Sequence, residues 1–504
     1  MSTLRNNDSK NFYKSCPLQI RGLVSELIKV LKNAGWLTSA QMIARILSAV
    51  FIILLANHLL PSSFGIYNSV IAYSYLFTVV VDWGMDEMTI REVSRQPEKG
   101  PQYLSDIISL RMVLGVSTMI VLFTFYYLIS AIYGIEIPLA VLTAAMTMLI
   151  FEKLSNTFFA QFQAYERMEL QAYATLIWKV TYLVLGITAI LLGFDLFLIL
   201  TFLIISYIIQ LFVSLVIYKF KLTRSRISLP SPGRWIPHLK RSSPFAVFIT
   251  VSVIYGQVII VLVSILSDSF TTGVYSASWK IIIFLGVVPY SFGRAVYPVF
   301  SRLYKDRKGT LKHAYLETLR FLLILSLPLT LGLYVIAEDI LMLIYTVEYE
   351  QTIMVFRTIV WMLPFFFMNG SLKMVLWSSD RTFDSSKNLI GASIVLVVSG
   401  VLLIPSYGAY GAAIAIVLAE ITHFLLNYHI VSGQLSPAPL AYVWKPYISS
   451  MLMAGLLYLP ILLGFKFSLL WLLPLGIGIY FAFLYLIGGI DKEDVMLARE
   501  FLSS

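Results

Sequence analysis

One cysteine, five histidines and a charged fraction of 13% are the scarcities that frame this 504-residue chain. With Cys16 alone, neither an internal disulfide framework nor a multi-thiolate metal site is possible. The histidines are scattered, with no HExxH or other paired spacing, which removes the usual zinc-hydrolase pattern. No Walker A loop is present, so nothing in the chain points to direct ATP drive. Soluble domains carry about 25% charged residues. A chain that is 59% hydrophobic, with mean hydropathy +0.83, is therefore built for lipid. Its first 35 residues are polar and basic rather than a short apolar core, so no cleavable signal peptide is expected.

What is present is a series of fourteen apolar spans. Each has roughly 20 residues, the length that crosses about 30 Å of hydrocarbon. They run near 36–57, 62–84, 107–130, 138–162, 170–193, 195–218, 243–267, 271–299, 316–337, 352–377, 386–405, 409–431, 444–464 and 468–488. The net charge of +10 sorts by connection. The N-terminal arm has Arg5, Lys10, Lys14, Arg21, Lys29 and Lys32, and the even-numbered connections are basic. The sixth is the most basic, with Lys219, Lys221, Arg224, Arg226, Arg234, Lys240 and Arg241. The odd-numbered connections have no Lys or Arg except Lys466, and one carries Glu338, Asp339, Glu348 and Glu350. This alternation predicts a multi-pass cell-membrane protein with both termini in the cytoplasm, and it assigns the positive charge to a membrane face rather than to nucleic acid.

The sixth connection divides two sets of six spans that enter the membrane in the same sense, as a parallel repeat. The expected organisation is a cytoplasmic amphipathic arm (1–35), an N-terminal six-helix bundle (36–218), a basic linker (219–242) and a second six-helix bundle (243–431). Two further helices (444–488) and a cytoplasmic tail (489–504) follow. In the arm, Ile20, Val24, Leu27, Ile28 and Leu31 share one face, the pattern of an interfacial helix. The repeat is visible in two stretches: Phe64–Arg95 begins FGIY and ends VSR, while Thr272–Arg302 begins TGVY and ends FSR.

The second stretch holds Lys280 and Arg294, fourteen residues apart. On one continuous helix that spacing places them within about 40° of the same face. A cation at bilayer depth costs roughly 2.5–3.5 kcal/mol on insertion scales and normally faces a bundle interior or a wet cavity. Arg45, Lys179, Lys280 and Arg357 are the candidates for such a cavity, with a structural pair or snorkelling as the ordinary alternative. Arg294 and Lys373 lie nearer the cytoplasm, where snorkelling competes more strongly, and Arg111 reads as interfacial. The carboxylates Glu420, Glu152 and Asp82 are candidates for a coupling ion, H+ or Na+. Glu420 shares a helix side with His423 and Asn427, which equally fits an internal hydrogen-bonded brace. Asp82 also fits a helix-end contact. The buried balance is cationic and favours an anionic passenger such as a phosphate, a pyrophosphate or an acidic sugar.

The segments GMDEMTIREVSR, YSASWKIIIFLGVVPYSFGRAVYPVFSRLYKD, LGLYVIAEDILMLIYTVEY and YGAYGAAIAIVLAE resemble the polysaccharide-transporter branch of the multidrug/oligosaccharidyl-lipid/polysaccharide exporter superfamily, which includes the Wzx-type O-antigen flippases. The resemblance spans about residues 36–432. It implies an all-α fold of about fourteen transmembrane helices, with two six-helix bundles in a V-shape that alternate their opening, plus two C-terminal helices. It further implies flipping of a polyprenyl-pyrophosphate-linked oligosaccharide to the outer leaflet for cell-surface polysaccharide synthesis, without enzymatic chemistry or a bound cofactor. Membrane lipid, a polysaccharide polymerase and glycosyltransferases of the same pathway are the implied partners. Two relatives in the superfamily compete: a lipid II-type flippase, and a cation-coupled multidrug exporter. The exporters typically carry a buried carboxylate on the first span, where this chain has Arg45. A polytopic glycosyltransferase or polymerase is the reading from another class; the short outer connections, with no DxD, argue against it.

Overall fold

The computed structural model describes residues 18–222, 229–306, 308–435, 437, 441–463 and 469–490, and no strand occurs among them. The basic residues Arg224 and Arg226, Lys466, the arm up to position 17 and the tail from 491 lie outside the described residues. Sixteen α-helices follow in order: α1 (Leu18–Asp82), α2 (Met85–Arg95), α3 (Gly100–Tyr133), α4 (Leu139–Ala164), α5 (Met168–Leu191), α6 (Leu196–Ile217), α7 (Trp235–Leu266) and α8 (Ser269–Leu285). Then come α9 (Val287–Asp306), α10 (Lys308–Val335), α11 (Ala337–Ile344), α12 (Thr352–Ile359), α13 (Leu363–Ser378), α14 (Thr382–Gln434), α15 (Ala441–Leu462) and α16 (Leu469–Leu486).

Among the described residues, ten helical stretches are long and apolar enough to cross a membrane. Two of them join two full spans across a backbone break. Helix α1 is interrupted at Leu60 (φ 59°) immediately before Pro61, and α14 at Gly408 (φ 54°), three residues after Pro405. Proline has no N–H for the helical ladder and disfavours the α conformation at the residue before it, which accounts for the break at Leu60. Gly408 takes a positive φ that glycine adopts at no steric cost, and each break separates two spans without a long loop. Counting both sides of each break, together with α15 and α16, reproduces the fourteen predicted spans. The amphipathic stretch from Leu18 runs directly into the first span as one helix.

The stretch read as a single helix from Thr272 to Arg302 is two helices, α8 and α9, meeting at Gly286. Pro289 lies in the first turn of α9, where its missing N–H costs nothing to a new helix but would break a continuing one. The angular relation between Lys280 and Arg294 therefore does not follow from a straight 100° repeat. The tenth span is divided in the same way, with a 3-10 turn (Val360–Met362) ahead of Pro364.

The chain forms two compact units. One consists of the chain up to Phe51 with Val80–Met119 and Thr147–Ala246. Its core packs Met85, Met88, Tyr103 and Ile107, with Leu104, Phe158, Phe162 and Tyr218 in a second cluster. Here the chain turns at Trp83 and Gly84, both with positive φ, and a Cβ on Gly84 would come within 2.7 Å of the Phe245 Cβ. The other unit consists of Ile52–Val79, Ile120–Met146 and the chain from Val247. Its main core joins Phe300, Tyr315, Leu372, Val375 and Val431. Helices α15 and α16 pack on α10 through Met453, Leu457, Tyr480 and Leu484, and the Tyr480 hydroxyl donates to the Ile324 carbonyl (2.8 Å). Large apolar side chains such as Val116, Phe212 and Leu402 stay exposed along the spans, the surface expected to face hydrocarbon.

Candidate functional site

The buried charges fall into two kinds. In the first unit, Arg111 is 0% exposed and both its terminal nitrogens are engaged. It donates to the Lys153 carbonyl (2.6 Å) and the Thr157 hydroxyl (2.7 Å), and pairs with Asp86 (2.9 Å) and Asp82 (3.5 Å). Lys153 pairs with Asp82 at 2.7 Å. Two cations thus neutralise two carboxylates at the junction of α1, α2, α3 and α4. Arg111 is not interfacial as its position near the span end implies: the α1–α2 turn brings Asp82 and Asp86 onto it, and an arginine that deep is tolerable only when paired. Asp82 does sit at a helix end, and its lone pairs serve this cluster. The same unit fastens the basic connection to α3. Buried Asp106 accepts from the Ser231 amide (2.9 Å) and from Arg234 (2.6 and 3.0 Å), and lies 3.4 Å from His238.

The second kind of cation is held without a carboxylate partner at contact distance. Lys179 on α5 is half-buried, its ammonium 3.9 Å from the Trp178 ring centroid and 4.7 Å from that of Tyr182. Those rings join Phe51 and Tyr207 in one aromatic cluster, and Glu152 acts on Lys179 electrostatically. In the second unit, Lys373 on α13 lies over Trp377 (4.6 Å) and Phe248 (5.3 Å). Lys280 on α8 is half-buried and has no hydrogen-bond or ion-pair partner among the described residues. A ring face attracts a cation by about 0.5–2 kcal/mol without neutralising it, so the contacts of Lys179 and Lys373 supply no counter-charge. Arg357 is placed differently, donating to the Tyr334 carbonyl (3.4 Å) with Glu338 at 3.9 Å. Arg45 is half-buried on α1, and Arg294 lies on α9.

A polar network surrounds Glu420, which is 2% exposed on α14. Its carboxylate accepts from the Tyr255 hydroxyl and from Asn369 Nδ2, each at 2.8 Å. Asn369 Oδ1 accepts from Asn427 (3.2 Å), whose own Oδ1 accepts from Asn388 (2.9 Å). The three amides, all buried, thus point their donors one after another toward the carboxylate. No cation pairs with Glu420 among the described residues. His423 lies beside the Tyr255 ring (centroids 6.1 Å) and within electrostatic reach of Lys373, so α7, α13 and α14 bring Glu420, His423 and Lys373 into one neighbourhood. The hydrogen-bonded brace expected around Glu420 is present. Sequence reasoning missed Tyr255, Asn369 and Asn388; the available signal was an amide or hydroxyl inside an otherwise apolar span, the same one that drew attention to Asn427.

A fourteen-span all-helical chain divided by proline breaks, with un-neutralised cations and a buried carboxylate network, has the architecture of the multidrug/oligosaccharidyl-lipid/polysaccharide exporter superfamily. The chain belongs to the family described as Polysaccharide biosynthesis protein, whose model matches residues 30–304, and the MatE model matches residues 244–405. It is a multi-pass membrane protein of that superfamily. No curated protein matches the chain. Its fold is similar to that of lipid II flippase MurJ in an inward closed conformation, with TM-score 0.74 and 17% identity over 91% of this chain and 99% of that one. A multidrug resistance MATE family transporter in an inward-facing conformation aligns with TM-score 0.64 and 16% identity, over 79% and 96% of the two chains. A superfamily transporter from Pyrococcus furiosus, described as having a binding pocket of reverse polarity, aligns with TM-score 0.56 and 15% identity over 80% and 96%.

Proposed function

We propose that this protein is a flippase that carries a polyprenyl-pyrophosphate-linked oligosaccharide from the cytoplasmic to the outer leaflet for cell-surface polysaccharide synthesis. The observation that carries the reading is the contrast between cations. Arg111 and Lys153 are neutralised by aspartates, whereas Lys179 and Lys373 rest on aromatic faces and Lys280 is unpartnered among the described residues. Membrane-depth charge that the fold leaves uncompensated calls for a ligand of opposite sign, and a pyrophosphate has the required charge density. Arg45, Arg357 and Arg294 are further proposed contacts of the passenger, and the polyprenyl tail stays in lipid. The family assignment supports a polysaccharide intermediate; a polymerase and glycosyltransferases would supply and consume it.

A proton at Glu420 is the proposed coupling ion. The carboxylate is buried with neutral partners, Tyr255 and Asn369, and no paired cation among the described residues, so protonation removes a costly buried charge, whereas Na+ would require a cage of oxygen ligands. Orientation follows the basic connections: cysteines at Ser62 and Thr346 should label from outside intact cells, and those at Ser94 and Ser228 should not.

The test is reconstitution into vesicles with a fluorescent polyprenyl-pyrophosphate sugar. The lipid should change leaflet with its mass unaltered. A covalently changed lipid would replace the reading with a transferase, and movement of lipid II alone would assign the substrate class that the MurJ likeness brings to mind.

A further inference from the structure

The duplicated FGIY and TGVY segments meet each other. A Cβ on Gly65 would lie 1.7 Å from the Ser269 carbonyl oxygen, and one on Gly273 would lie 1.9 Å from the Pro61 carbonyl oxygen. Position 61 precedes Gly65 by four residues, and position 269 precedes Gly273 by four. Each helix therefore presses the carbonyl one turn above its own glycine onto the glycine of its duplicate, a reciprocal contact that tolerates no side chain. Small residues four apart allow this close approach of helices in lipid. The contact is dry: Phe64, Tyr67, Asn68, Thr272 and Tyr275 around it are buried.

Beside it the segment Tyr345–Tyr349 is tied down as a strap. Asn57 Nδ2 donates to the Ile344 carbonyl (2.9 Å), and its Oδ1 accepts from the Thr346 amide (3.2 Å). The Tyr349 hydroxyl donates to the Ala56 carbonyl (2.9 Å), and the Tyr345 hydroxyl to the Ala277 carbonyl (3.1 Å). All these residues belong to the second compact unit. They gather three connections that lack Lys and Arg, namely the first, seventh and ninth, which the charge alternation assigns to the outer face.

We propose that the Gly65–Gly273 crossing and the Asn57-anchored strap form an outer gate that is shut in this structure, and that release of the passenger outside requires both to part. This rests on the flippase reading and on its orientation. Any side chain at either glycine must hold α8 away from the helix that follows Leu60 by about 1.5 Å, because backbone carbonyls cannot rotate aside as side chains do. Such variants should favour the outward-open form.

Ser276, one turn below Gly273, is buried and nearly isosteric with cysteine, so Ser276→Cys in a Cys16→Ser background reports the gate. With wild-type glycines, a membrane-impermeant maleimide added to intact cells should label it slowly. Gly65→Ala and Gly273→Ala should each raise the rate about ten-fold or more. Unchanged labelling in the double glycine variant at normal membrane abundance overturns the proposal. Should the glycine variants fail to accumulate, Asn57→Cys with Thr346→Cys, bridged by a short bifunctional thiol reagent, decides the matter. Bridged protein should stop flipping the fluorescent lipid and recover on reduction, whereas bridged protein flipping at the reduced rate refutes the gate. A protein that flips no polyprenyl-linked sugar before bridging indicts the substrate reading, and the gate is then judged by Ser276→Cys labelling with the strap cut by Asn57→Ala, which should run faster and overturns the proposal if it does not.

Discussion

Replacing Arg111 with methionine keeps much of the buried stem and removes only the guanidinium. That group makes four polar contacts, with two aspartates, the Lys153 carbonyl and the Thr157 hydroxyl. With Lys153 it balances Asp82 and Asp86, so Arg111→Met leaves the cluster with one uncompensated negative charge. Asp82 keeps Lys153 at 2.7 Å, and Asp86 loses its close partner. Breaking a buried pair from one side costs about 3–5 kcal/mol, because the remaining charge stays desolvated. Adding Asp86→Asn restores neutrality, and the residual loss should fall to about 1–2 kcal/mol of unmade hydrogen bonds. Thermal unfolding in detergent, followed by size exclusion of a fluorescent fusion, measures the order: wild type, then the double variant, then Arg111→Met. A single variant as stable as wild type, or a double variant less stable than Arg111→Met, refutes the assignment of this cluster as a neutralised brace, since independent sites would simply add.

The remaining predictions concern transport and the connection between spans. Glu420→Gln should preserve membrane abundance and flatten the pH dependence of flipping; a pH profile equal to wild type places the coupling group elsewhere. At Lys280, arginine should retain part of the flipping rate, alanine less and glutamate least, with abundance measured alongside, and Arg45 should follow the same order with Lys, Ala and Glu. Normal flipping by Lys280→Ala combined with Arg45→Ala removes the proposed role of these cations. Asp106→Asn should loosen the connection held by Ser231 and Arg234, a loss of about 1.5–3 kcal/mol in charge-assisted hydrogen bonds, and limited proteolysis near residues 219–242 should then run faster. Unaltered cleavage would show that the latch does not restrain the connection.

The number and boundaries of the spans were legible in the chain, because in lipid every backbone group must be satisfied within its own helix and the apolar run states the length directly. The Leu60–Pro61 break was legible as the end of a span. Proline also broke what read as single helices: Pro289 and Pro364 split spans eight and ten, because a long apolar run does not show where the hydrogen-bond ladder restarts. The family resemblance was carried by local segments and needed no structure. Partnership among buried charges was decided only by tertiary structure. By position, Arg111 and Lys280 are both basic residues within or beside a span, yet the turn at Trp83–Gly84 delivers two aspartates to the first, and no described residue pairs with the second. The polar groups around Glu420 come from α7 (Tyr255), α13 (Asn369) and both halves of α14 (Asn388, Asn427), and the reciprocal seat of Gly65 and Gly273 joins segments 208 residues apart. Local pattern records which face of a helix is apolar, but which polar groups meet there depends on long-range packing, where a shift of one helical turn would exchange every partner.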